Sequence, residues 1–296
     1  MAFPELPIAP ADRTADWTLR LGAGAAPALE AARLGVDKVY GTVQVHAASV
    51  DGGIRLAYDD TGTFDVSADG RDLTWYPPVG SLPEEAARAD VIGRVLAMAM
   101  HLQGVFTLHA SAVSVAAGTG IALMAPKGYG KSTLAAALLR SGAALISDDA
   151  VPVRCVSGGG ARLSPGIHQV RLWGDAAERV GLGSQPAEGR KLVVTEFEQG
   201  RLVQDEVDFV GAYVLTPVVP NPDGPAVERV RLTEIDGALS LIEHSKVGAL
   251  LGGREGPRFF DMATTVASRV PVYALRITRD LGRLDEVTRV MTSWHA

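Results

Sequence analysis

A lysine and a serine, Lys131-Ser132, close a turn that carries Gly128 and Gly130, and two adjacent carboxylates, Asp148-Asp149, follow after one short apolar segment. Each of these residue types has a distinct chemical use. Closely spaced glycines let successive backbone N–H groups converge on an anion, and a helix start beside them adds positive dipole. The full turn reads Ala125-Pro126-Lys127-Gly128-Tyr129-Gly130-Lys131-Ser132-Thr133, set between the apolar run 120–124 and the helix-forming run 134–139. Strand, tight turn and helix is the order a phosphate cradle needs. In such a cradle Lys131 reaches the β and γ phosphates and the Ser132 hydroxyl holds Mg²⁺. The pattern G-x-x-x-x-G-K-[ST] is met except at its first glycine, where Ala125 stands.

The helix that starts near Lys131 is expected to end at Arg140-Ser141-Gly142, with Gly142 as a left-handed cap. The chain then enters the apolar segment 143–147 and reaches Asp148-Asp149. An apolar strand ending in acid is where a magnesium-associated carboxylate is expected beside a phosphate loop. One carboxylate can sit on Mg²⁺ or its water while the other accepts the proton of an attacking hydroxyl. The plainer alternative is that the pair only ends a strand. Upstream, residues 105–115 read as a strand and 117–120 as the turn of a hairpin that feeds the loop. That strand carries His109, for which a structural and an active-site role weigh equally.

The elements that must position these groups follow from periodicity. Residues 1–80 read as a small β-rich unit: 43–46, 54–58, 63–66 and 73–76 alternate with period two, and Asp51-Gly52-Gly53 and Asp69-Gly70 are turns between them. His46 there reads as a half-exposed strand residue. Pro77-Pro78-Val79-Gly80 is a joint, after which residues 81–296 form the larger domain. Ser81 and Glu84 form a capping box for a helix whose Ile92, Val95, Leu96 and Ala99 mark its packed face. Further on, 169–173 reads as a strand carrying Arg171, a candidate to neutralise charge on a transferred phosphoryl group, and Arg190-Lys191 is a second cationic candidate, although plain surface charge accounts for each slightly better. Segment 211–215 reads as a strand ended by Pro217. Residues 234–250 read as a helix interrupted by Gly237 and Gly248, whose His244 could face a substrate but fits a solvated position better, and 261–270 and 284–291 read as amphipathic helices. The fold class is α/β.

Composition narrows the function. The chain has 296 residues, 47% hydrophobic and 21% charged, enough for a sizeable core. Its 28 Lys and Arg against 34 Asp and Glu give a net charge of -6, with no dense basic run, so a nucleic-acid partner is not expected. Cys155 is the only cysteine, which leaves no internal disulfide and no cysteine-based zinc cluster, and it reads as a small buried hydrophobe. The amino terminus lacks a secretory pattern, and no apolar stretch reaches the ~20 residues of a membrane span. A soluble, cytoplasmic protein with no membrane partner is expected. The sequence gives no subunit count and leaves room for a homo-oligomer.

Leu108-His109-Ala110-Ser111, Lys127-Gly128-Tyr129-Gly130-Lys131-Ser132-Thr133 and Ser147-Asp148-Asp149-Ala150, in this order, resemble the catalytic domain of the HPr kinase/phosphorylase family. The nearest likeness is to the HPr-kinase-like serine kinases that include lasso-peptide precursor kinases. It covers about residues 84–180 and continues more weakly through Arg171-Leu172-Trp173, Phe259-Phe260-Asp261 and Pro271-Val272-Tyr273-Ala274-Leu275. The resemblance implies a P-loop kinase domain behind the β-rich unit. It implies Lys131 and Ser132 on phosphate and magnesium, Asp149 as proton acceptor for a substrate serine, and His109 in the active site. The family's further metal-binding glutamate has no counterpart in His168-Gln169-Val170-Arg171-Leu172-Trp173-Gly174-Asp175, so either Asp175 substitutes or a second metal position is absent. The expected activity is ATP- and Mg²⁺-dependent transfer of a γ-phosphoryl group to a serine of a peptide or small protein. The alternatives are a small hydroxylated metabolite as acceptor, or a nucleotide-dependent peptide-binding module without transfer.

Overall fold

The computed structural model describes residues 3, 6, 14–28, 31–80, 84–172, 177–178, 192–195, 201–221 and 223–296. They form a mixed α/β structure in two compact units: residues up to Thr107 with Ser245–Met262, and Leu108–His244 with Ala263–Ala296.

The first unit holds one sheet in the order β1-β6-β5-β4-β3-β2, built from β1 (Thr18–Leu21), β2 (Ala32–Tyr40), β3 (Val43–Val50), β4 (Gly53–Tyr58), β5 (Gly62–Val66) and β6 (Asp72–Tyr76). The four alternating segments are all strands, and β1 and β2 add to them. One face is apolar because Ile54, Leu56, Phe64, Val66 and Leu73 recur at period two and are almost wholly buried. Helix α1 (Glu84–Asp90) continues through a π-helical turn, Val91–Val95, into α2 (Leu96–Leu102), and Val91, Ile92, Val95 and Ala99 are buried along it. Ser81, the expected cap, lies outside the described residues. The boundary expected near residue 80 falls inside this unit, because the helical segment is held to the sheet: a Cβ on Gly70 would stand 2.3 Å from the Ala99 carbonyl, and Arg94 pairs with Asp37 at 2.6 Å.

Strand β7 (Phe106–Leu108) carries the chain into the second unit. Its sheet runs β10-β8-β9-β15-β17-β16, from β8 (Ala110–Ala116), β9 (Thr119–Met124), β10 (Ala144–Asp148), β15 (Val207–Val218), β16 (Val227–Arg231) and β17 (Val272–Thr278). Strands β11 (Val151–Cys155) and β12 (Ala161–Leu163) extend from the start of β15, while β13 (Val170–Leu172) and β14 (Leu192–Val194) pair separately. Parallel pairing of β9, β15 and β17 puts their carboxyl ends on one edge, and β10, antiparallel to β8, ends there too.

Helix α3 (Lys131–Arg140) packs Leu134, Leu138 and Leu139 onto Ile121, Leu123 and Leu145, and its alanines let it sit close to the sheet. Gly142, at φ 114, caps it as expected, and the Ala143 amide donates back to the Leu138 carbonyl at 3.0 Å. Further on, the described residues include the α-helices α4 (Glu234–Glu243), α5 (Gly256–Arg269) and α6 (Leu284–Ser293). Three expectations change. The strand read across 105–115 breaks at His109; β15 runs through Pro217 to Val218; and α4 stops at Glu243. Beyond Val214, among the described residues, only β17 pairs with β15, and a one-sided stretch accommodates a proline. Among the described residues no helix is long and apolar enough to cross a membrane.

In the first unit Asp90 is buried, accepts from the Thr61 hydroxyl at 2.7 Å, and is pushed up to about 6. Burial is the main cause. Asp60 adds to it, and the Thr61 bond, Arg94 and Lys246 oppose it. A carboxyl raised in the folded state binds its proton more tightly there than in the unfolded chain. The resulting stabilisation is complete below the ordinary value of 3.8 and fades as pH rises through about 6. Denaturation at pH 4 and pH 8 is expected to show a change of about 2 kcal/mol from this group, absent in Asp90→Asn.

Candidate active site at the carboxyl edge of the second sheet

The loop 125–130 leaves β9 and turns directly into α3. Gly128 and Gly130 have φ of 88 and 93, and a Cβ on either would meet nothing within 4 Å. Glycine is therefore required here for backbone conformation and not for space. Ala125 stands outside the positive-φ residues, which explains why the first glycine of the pattern is dispensable. Its carbonyl accepts from Lys131 Nζ at 2.6 Å, which ties the buried lysine to the base of its own loop. Lys127 and Tyr129 are exposed on the loop, and Ser132 and Thr133 are half-buried in the first helical turn.

Register brings the acids to the loop. Asp148 lies opposite Ser111, and Ser111 opposite Leu123, so the end of β10 is level with the last residues before the loop. Between Leu145 and Ser147 the pairing slips by one residue, a bulge that re-aims the following side chains. Ser111 Oγ donates to Asp148 Oδ1 at 2.5 Å, and Ser132 Oγ lies 3.4 Å from Asp148 Oδ2. Burial raises the Asp148 carboxyl above its ordinary value, with the neighbouring Asp149 adding to the rise. The Ser111 bond, the Arg171 backbone amide and Lys131 oppose it. Ser147 braces the turn from below: its hydroxyl donates to the Ala150 carbonyl at 2.6 Å and accepts from the Ile167 amide at 3.1 Å.

Asp149 is built differently. It has φ 75, a left-handed conformation that few non-glycine residues adopt, and its amide donates to the Ala110 carbonyl at 2.9 Å. That conformation turns the side chain away from the buried position of Asp148. Its carboxylate is 44% exposed and lies 3.4 Å from His109 Nε2. A buried carboxylate facing a serine hydroxyl and an accessible one facing a histidine are suited to separate tasks, the first to hold and the second to exchange protons.

Two residues differ from expectation. His244, read as solvated, is buried at the end of α4, and its carbonyl accepts from the His109 amide at 2.7 Å. Burial lowers its basicity, Glu243 opposes this, and Lys131 lowers it further. Arg171 has an exposed side chain, and its backbone amide acts on Asp148. Asp175, Trp173, Arg190 and Lys191 lie outside the described residues.

Sequence reasoning passed over the separate roles of Ser111 and Ser147, whose partners depend on register. It also missed Arg279, which follows β17 at the same sheet edge, with its guanidinium 5.3 Å from the Tyr129 ring centroid. A basic residue just past a strand that ends in Thr278 was the available signal. Among the described residues no group of three His, Cys, Asp or Glu side chains could hold a metal. The oxygens of Ser132 and Asp148 fit an ion such as Mg²⁺, which takes most of its ligands from phosphate and water.

No family model matches the chain, and no curated protein sequence matches it. Among solved structures, the Hpr(Ser) kinase/phosphatase from Coxiella burnetii is similar at 14% sequence identity and a TM-score of 0.32, over 63% of this chain and 86% of that one.

Removing the Ser111 hydroxyl leaves a buried carboxylate oxygen without its donor. Ser111→Ala is expected to lower the unfolding free energy by about 1–3 kcal/mol. At Asp149 a β-branched side chain is strained, so Asp149→Val should be less stable than Asp149→Gly by about 1 kcal/mol in denaturant titrations.

Proposed function

We propose that the protein is an ATP- and Mg²⁺-dependent kinase that transfers the γ-phosphoryl group to a serine hydroxyl of a peptide or small protein. The observation that carries this reading is the junction of two half-sites: Ser132 of the glycine loop lies 3.4 Å from Asp148, and the next residue, Asp149, is accessible. A nucleotide's phosphates and a proton acceptor for an incoming hydroxyl would thereby share one sheet edge.

In this mechanism the loop amides of 128–132 and Lys131 bind the phosphates, oriented by the Lys131 tether to Ala125. Ser132 and Asp148 would hold Mg²⁺, which supplies neutralisation of phosphate charge when bound. The acceptor hydroxyl oxygen bonds to the γ phosphorus as the bond to the bridging oxygen breaks and ADP leaves. Asp149 takes the hydroxyl proton. His109, beside the Asp149 carboxylate, orients it toward the acceptor. The His244 carbonyl, at the end of α4, positions the His109 backbone.

Asp149→Asn is expected to leave ATP affinity within about twofold of wild type while phosphoryl transfer falls by ~10²-fold or more. The assay uses labelled ATP with panels of serine peptides and small hydroxylated metabolites, with phosphopeptide detected by mass spectrometry. Loss of ATP binding in Asp149→Asn would reassign that carboxylate to the metal. Peptide binding with no phosphorylated product would reject the kinase reading.

A further inference from the structure

The glycine loop carries an aromatic ring that takes no part in the hydrophobic core of the second unit. Tyr129 stands between Gly128 and Gly130 and is 44% exposed. The loop bends there through two left-handed residues, so its backbone alone does little to restrict the ring. What faces the ring is Arg279, from another part of the chain: it follows β17, and its guanidinium carbon is 5.3 Å from the ring centroid. An exposed cation–aromatic pair contributes modest stability, about 0.5–1 kcal/mol, too little to be a main support of the fold.

Position gives the pair its meaning. Strands β9, β15 and β17 are parallel, and ligands of open α/β sheets bind beyond the carboxyl ends of such strands. Tyr129 follows β9 and Arg279 follows β17, so two strands separated by β15 each deliver one planar group to that edge. A phenol ring and a guanidinium are both side-chain planes on which a nucleobase can stack. A nucleoside triphosphate whose phosphates follow the loop amides must place its base away from Lys131, and this pair is exposed beside the loop.

We propose that Tyr129 and Arg279 form the stacking wall for the base of the nucleoside triphosphate bound at the glycine loop. The inference rests on the nucleotide-binding part of the proposed function and assigns its base subsite. Stacking uses the π face that every base has, so the wall favours nucleotides over bare phosphates and separates ATP from GTP weakly.

The test measures direct binding of ATP, GTP and inorganic tripolyphosphate, each with Mg²⁺, to wild type, Tyr129→Ala, Tyr129→Phe and Arg279→Met. Tyr129→Ala and Arg279→Met are expected to weaken ATP and GTP alike, by about tenfold, and to leave tripolyphosphate within about twofold. Tyr129→Phe keeps the ring and should stay near wild type. Equal losses for ATP and tripolyphosphate in Arg279→Met would make the arginine a phosphate contact and overturn the wall. Unchanged ATP affinity in both truncating variants would overturn it as well, with nucleotide binding itself intact. A wild-type protein that binds neither ATP nor tripolyphosphate would instead remove the nucleotide reading on which the wall rests.

Discussion

A carboxylate with almost no exposure to water persists at the end of a β-strand only if donors converge on it, and Asp148 is the point at which the loop edge of the second unit's sheet is held together. Its donors come from different elements: Ser111 from the neighbouring strand β8, Ser132 from the first turn of α3, and the backbone of Arg171 from β13. Lys131 adds attraction from the same helical turn. Joining these elements at one carboxylate ties the glycine loop to the acidic strand. Burial raises the Asp148 carboxyl above its ordinary value, and the Ser111 and Arg171 donors oppose the rise.

The contrast between Asp148 and Asp149 arises from backbone geometry. Adjacent residues on a regular strand would point to opposite faces. Here a bulge at the end of β10 and a left-handed residue immediately after it replace that alternation, leaving one acid enclosed and the next open to solvent. The strain is held locally by backbone bonds from Asp148 to Ile167 and from Asp149 to Ala110, and by the Ser147 hydroxyl bridging Ala150 and Ile167. Strain held in this way at a group suited to proton exchange is a form of preorganisation. His109 is fixed in the same manner, by a break in its strand and a backbone bond to a buried helix end. The first unit has its own polar centre around Asp90 and Thr61, supported by a separate sheet and helical segment.

Much of the scaffold was legible from local signals. The apolar run before the loop, the alanine-rich helix after it and Gly142 as its cap each state a local preference that packing does not overrule, and all three occur as expected. Long-range relations were less legible. Strand β2 was missed because Gly35, Asp37 and Lys38 break its alternation, although its edge position tolerates them. His244 was placed on a solvated helix position, yet the helix end it occupies is enclosed. The division near residue 80 followed the two prolines, whereas the compact unit continues through the helices that cover its sheet.

The sequence by itself determined the chemistry on offer: two glycines free to take positive φ, a lysine and a serine at a helix start, and a pair of carboxylates one short helix later. Residue type and spacing control backbone conformation over a few residues, so these features survive in any fold that keeps the local elements. Only the tertiary structure decided which carboxylate is enclosed, which serines hold it, and that Arg279 from the far end of the chain lies over Tyr129. Those outcomes depend on strand register and on the order of strands in the sheet, which arise from the packing of segments far apart in sequence.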